Sequence, residues 1–106
     1  MKAKEFVARW KAEKENLLST YSKDSEDTHA SVVIKSMNLS LEQKEKMKEV
    51  IDTILTDTFY GLLLGLDGEA QIGGVQETFN IHDSEGNLIS ECGELEAEAW
   101  EQFHGE

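Results

Sequence analysis

Residues Ser40 to Gly68, SLEQKEKMKEVIDTILTDTFYGLLLGLDG, decide the fold. Ser40 followed by Gln43 reads as a capping box, in which each side chain satisfies an orphan backbone donor of a helix's first turn. From there Met47, Val50, Ile51, Ile54, Leu55, Thr58, Phe59, Leu62, Leu63 and Leu66 keep a 3.6-residue period. That repeat draws a wide apolar stripe along one long helix, the central core element. Asp67-Gly68 ends it, since glycine takes the left-handed conformation that helix ends often need.

Upstream, residues 2–21 place Phe6, Val7, Trp10, Leu17, Leu18 and Tyr21 near one stripe at helical spacing. The other face is Lys and Glu, with Arg9, Lys11 and Lys14 supplying positive charge, so the segment is an amphipathic helix ending at Ser22–Asp24. Residues 25–37 read two ways. Ala30, Val33, Ile34 and Met37 fall at i, i+3, i+4 and i+7, while Val32-Val33-Ile34 is a β-branched run that favours a strand. The spacing tips the reading to a short helix.

Downstream of Gly68 the period changes to two. Val75, Phe79 and Ile81 share one face, and Asp83-Ser84-Glu85-Gly86-Asn87 reads as a type I turn closing on a glycine bulge. Asp83 then lies opposite Asn87, His82 opposite Leu88 and Ile81 opposite Ile89, with Phe79 completing a buried face. Ile72, before Gly73-Gly74, is the candidate start of a third short strand. Glu94 to His104 returns to helical spacing through Leu95, Ala99 and Phe103. The expected fold is α+β and mostly helical: amphipathic helix, short helix, long central helix, β-hairpin and C-terminal helix. At 106 residues it forms a single domain, 1–106.

Charge is distributed as unevenly as structure. The formal net charge is −12, and no Lys or Arg occurs after Lys48, whereas 14 carboxylates do. Direct nucleic-acid binding is disfavoured because phosphate neutralisation needs clustered Lys and Arg. Anionic membranes are disfavoured for the same reason, and Phe59–Leu66, the longest near-apolar run, is too short to span a bilayer. Met1–Phe6 lacks the apolar region of a secretory signal, and Cys92 is the lone cysteine, so a reducing, cytoplasmic location is expected.

Few residues carry spaced chemistry. Cys92, His29, His82 and His104 have no CxxC, HxxxH or HExxH spacing, so no metal or thiol site is expected, and Cys92 reads as a small buried apolar residue. Counting an EF-hand loop back from Gly86 or Gly68 puts Ile81 or Leu63 where an acid must stand, so neither glycine marks one. Gly73-Gly74 is no phosphate loop, and no cofactor is implied. What stands out is the acidic C-terminal helix. Glu94 and Glu98 are a like-charge i, i+4 pair, and Glu101 lies near the negative end of the helix dipole. A solvated acidic face is the plain reading; a docking surface for a basic partner is the functional one, and cation binding is the third.

The run Leu64-Gly65-Leu66-Asp67-Gly68-Glu69, then Ile72-Gly73-Gly74, the Asp83–Asn87 turn and Glu94-Leu95-Glu96 leading to Trp100 and Phe103, resembles small acidic uncharacterised bacterial proteins, some of them similar to immunity proteins of toxin–immunity systems. The resemblance covers residues 62–106, rests on turn glycines and core positions, and carries over no functional residue. The expected function is non-enzymatic: binding of a basic protein partner through Asp67, Glu69, Glu94, Glu98 and Glu101, with Trp100 or Tyr60 as the aromatic anchor. The alternative is a homodimer or assembly subunit using leftover apolar surface of the long helix.

Overall fold

The computed structural model describes residues 1–105, which form four helices: α1 (Ala3–Ser22), α2 (His29–Ser36), α3 (Leu41–Leu66) and α4 (Glu94–Phe103). The Ser40–Gln43 capping box is formed in full at the start of α3. At its end the Gly68 N–H donates to the Gly65 carbonyl and the Glu69 N–H to the Leu64 carbonyl, the paired bonds of a Schellman motif. Gly68 sits at φ +79°, and a Cβ there would also press on Thr78 at 3.0 Å.

The core lies at one end of the molecule. Ala3 and Val7 of α1, Phe59 and Leu63 of α3, and Leu95, Ala99 and Phe103 of α4 pack with Ile89 of the connecting loop. Trp10 stacks at 5.5 Å from Phe59, and Phe59 at 6.5 Å from Phe103. Farther along the α1/α3 seam the apolar contact gives way to an ion pair. Lys14, expected on the solvent face, is buried at 5% exposure between Val7 and Leu18 of the same stripe. It pairs with Asp52, which lies seven residues before Phe59 and hence on the same side of α3, and also reaches Glu15 at 3.3 Å. Burial opposes the Lys14 charge, but the bonds to Asp52 and Glu15 outweigh it and raise its pKa above the ordinary lysine value.

Residues 29–36 are helical, capped by Thr28, whose hydroxyl accepts the Ser31 N–H. The apolar stripe expected to bury this helix does not do so. Ser31 is the buried residue and bonds the Thr20 carbonyl at 3.2 Å, while Val32, Val33 and Met37 face solvent.

The α+β expectation is overturned: among the described residues there is no strand, and the protein is a mostly helical four-helix chain. The Asp83–Asn87 turn does close, with the Asp83 N–H on the Asn87 carbonyl at 3.0 Å and the Ile89 N–H on the Ile81 carbonyl at 2.7 Å. One isolated bridge, His82 with Leu88, is all that follows. The next rung is taken by a side chain. Ser90 Oγ accepts the Ile81 N–H at 2.8 Å and donates to the Phe79 carbonyl at 2.9 Å, so the backbone ladder stops there. Phe79, expected inside, is therefore exposed beside the hairpin-like loop. Ile72 pairs only with Val75 around Gly73-Gly74, a tight turn in place of a third strand.

Asp83 ties the loop to the residue two before α1 by accepting from the Met1 amino group, and closes the loop on itself by accepting the backbone N–H groups of Glu85 and Asn87. The bond from the Met1 ammonium and that from the Asn87 N–H hold the Asp83 pKa far below the usual carboxylate range.

Candidate acidic surface around the start of α4

Six residues were singled out from the sequence, and the structure divides them into two groups. On α4, at about 100° per residue, Glu94, Glu98 and Glu101 fall on one flank and Trp100 on the other. Glu94 and Glu101 are exposed, whereas Glu98 is half-buried and accepts from Gln102 Nε2 at 3.2 Å. Gln102 also bonds the Lys4 carbonyl, so this flank leans toward α1.

Asp67 and Glu69 belong with the Trp100 flank. Gly93, the residue before α4, has no side chain with which to cap the helix. Asp67, ending α3, does it from across the fold: its Oδ2 accepts the Glu96 N–H at 3.0 Å. Asp67 is thereby drawn inside, at 6% exposure, and its other oxygen, Oδ1, is enclosed without a hydrogen-bond partner. The same contact brings in Glu96, which the sequence reading passed over. One carboxylate oxygen each from Asp67, Glu69 and Glu96 lies within 4.8 Å of the others. The signal for Glu96 was its place in the first turn of a helix with no capping side chain, which calls for an acceptor from elsewhere.

Glu94 and Glu96 are both in the first turn of α4, where the helix dipole favours acids, so part of this acidic run does stabilise the helix. Glu101, by contrast, has no such support.

Four residues beyond Glu96, Trp100 is 57% exposed. Tyr60 from α3 and His104 flank it: Tyr60 meets His104 edge-on at 4.5 Å, and the Trp100 ring lies 5.3 Å from His104 and 6.3 Å from Tyr60. Both aromatic residues considered as anchors therefore belong to one surface cluster.

Among the described residues, none of Asp67, Glu69, Glu94, Glu96, Glu98 or Glu101 joins an ion pair. Lys23, Lys35, Lys44 and Lys48 lie elsewhere, lining a groove between α2 and the start of α3, whereas Lys4 and Lys11 of α1 stand against α4: the Lys4 carbonyl accepts from Gln102, and Lys11 Nζ lies 5.4 Å from the Phe103 ring. Cys92 is exposed, contrary to the expected burial, and it gathers no histidine into a ligand-sized cluster among the described residues. No described helix is long and apolar enough to cross a membrane. No family model, curated protein or solved structure matches the chain.

Proposed function

We propose that this chain is a non-enzymatic binding protein that receives a basic protein partner on the Trp100 flank of α4. The observation that carries the reading is an aromatic cluster, exposed Trp100 and His104 with half-buried Tyr60, beside carboxylates that form no ion pair among the described residues. Exposed Trp and Tyr are the residue types that most often anchor interfaces. Unpaired acids around them accelerate encounter with a positive surface and fix its orientation. The mechanism is occlusion, in the manner of an immunity protein masking a cationic toxin, with Glu94, Glu98 and Glu101 contributing field from the far flank.

The test is co-purification from the native host with the tagged chain at about 50 mM and about 500 mM salt, since surface charge pairs weaken as the Debye length shrinks. A cationic protein recovered at low salt, lost at high salt and lost with Trp100→Ala is the expected result. Recovery indifferent to salt or to Trp100→Ala overturns the reading.

A second reading, a homodimer or assembly subunit, is favoured by a different surface. Met47, Val50 and Ile54 fall at i, i+3 and i+7 on α3, and Val50 and Ile54 remain 51% and 57% exposed. Neither reading needs the other's residues.

A further inference from the structure

We infer that Asp67, Glu69 and Glu96 bind a hard divalent cation of the calcium class, clamping the end of α3 to the start of α4. This goes beyond the basic-partner reading but shares its three carboxylates on the Trp100 flank, where a bound ion would remove charge that reading uses; calcium heat measured without a partner separates the two. Three oxygen donors lie within 4.8 Å of one another. Opposite ligands of calcium, at 2.3–2.6 Å from the ion, are about 4.6–5.2 Å apart, so one ion of that size can reach all three oxygens. The donor set is carboxylate alone, the chemistry of calcium and magnesium rather than of zinc or copper.

A cluster of acids is common on an acidic protein; what distinguishes this one is its buried member. Asp67 is 6% exposed, and Oδ2 is committed to the Glu96 N–H, yet Oδ1 is enclosed with no donor. A carboxylate oxygen taken out of water and left unpaired is costly, and the fold normally supplies a counter-charge. Here it has none to give, because no Lys or Arg follows Lys48 and no described cation reaches the cluster. A bound metal ion provides the missing charge. The site joins the C-terminal end of α3, whose partial negative charge favours a cation, to the first turn of α4, whose N–H groups favour the carboxylates that would hold it.

Glu69 and Glu96 contribute no described side-chain hydrogen bond to the fold, so they can be changed without uncapping α4. The test uses the full chain stripped of metal with a chelator. Calcium chloride is added at constant ionic strength, and both binding heat and thermal unfolding are followed. A saturable heat with Kd on the order of 10⁻⁴ M is expected, with Tm rising by about 6–11 °C at a tenfold excess over Kd. The double substitution Glu69→Gln with Glu96→Gln should weaken binding at least tenfold, while Glu45→Gln with Glu85→Gln should leave it unchanged. Absence of calcium heat at millimolar concentration, equal binding in both double variants, or stronger binding of magnesium chloride than of calcium chloride would overturn the inference.

Discussion

Replacing Asp67 with alanine takes the acceptor away from the first turn of α4, where Gly93 has nothing to substitute. Losing such a cap costs about 1 kcal/mol, and the loss should appear as a lower urea midpoint with an unchanged slope. Asp67→Asn, which keeps an acceptor oxygen, should retain most of that stability in metal-free buffer. Asp83 supports the opposite end of the same region, and its contribution is set by pH. Its folded-state pKa is lowered by the Met1 ammonium and by the Asn87 and Glu85 N–H groups. The stabilisation is thus present above the unfolded carboxylate value of about 3.9 and is lost as pH falls below it. The Met1 amino group is shifted the other way, upward, chiefly by the same Asp83 bond. Its share is full below an ordinary amino-terminal value of about 8 and is lost on going more alkaline. Thermal unfolding across pH should show Asp83→Asn flattening the acid limb; an acid limb identical to that of the parent chain would refute the assignment.

Between elements, the α1/α3 seam makes a prediction that the apolar pattern hides. Lys14 is buried and leans on Asp52, with Glu15 as its second partner. Asp52→Ala leaves a buried ammonium with one carboxylate, and should cost about 1–2 kcal/mol in denaturant unfolding. Adding Lys14→Met, which preserves the aliphatic stem, should recover much of that loss, whereas additive losses would show the two residues uncoupled. This seam also shows why some elements were legible and others not. Capping, period and the Gly68 stop are local properties, so α3 could be read from residues 40–68 directly. Lys14 could not, because a lysine at a seam position is buried only if an acid faces it from another helix. The strand expectation failed for a comparable reason. Parity and turn placed Asp83 against Asn87 and Ile81 against Ile89, but whether a ladder continues depends on what Ser90 Oγ bonds, and it displaces the backbone rung. The acidic site was half visible: Asp67, Glu69 and Trp100 were identified from the sequence, whereas Glu96 enters through a contact between residues 29 apart.

At the scale of the whole molecule, the core occupies one end and α3 runs on beyond it. The radius of gyration is 16.3 Å, against about 13 Å for a compact chain of this length. The accessible surface is 7154 Å², against about 5900 Å² for a compact protein of this mass. Part of that excess is apolar: Val50 and Ile54 on α3, and Val32, Val33 and Met37 on α2, all face water. Exposed aliphatic area of this kind gains free energy on being covered, at about 25 cal/mol per Å² before the costs of association. Self-association is the covering available to a purified chain, and it should be visible as a mass above the monomer at micromolar concentration in sedimentation or light scattering. Val50→Glu with Ile54→Glu should return the species to monomer with little change in Tm, because neither side chain belongs to the core cluster. Trp100→Ala should leave the mass distribution untouched, since the aromatic cluster stands on the far half of α3 with Tyr60. If instead the parent chain is strictly monomeric, the dimer reading fails while the acidic surface keeps its own test. If Trp100→Ala dissociates an oligomer, the cluster assigned to a basic partner is the chain's own contact with itself.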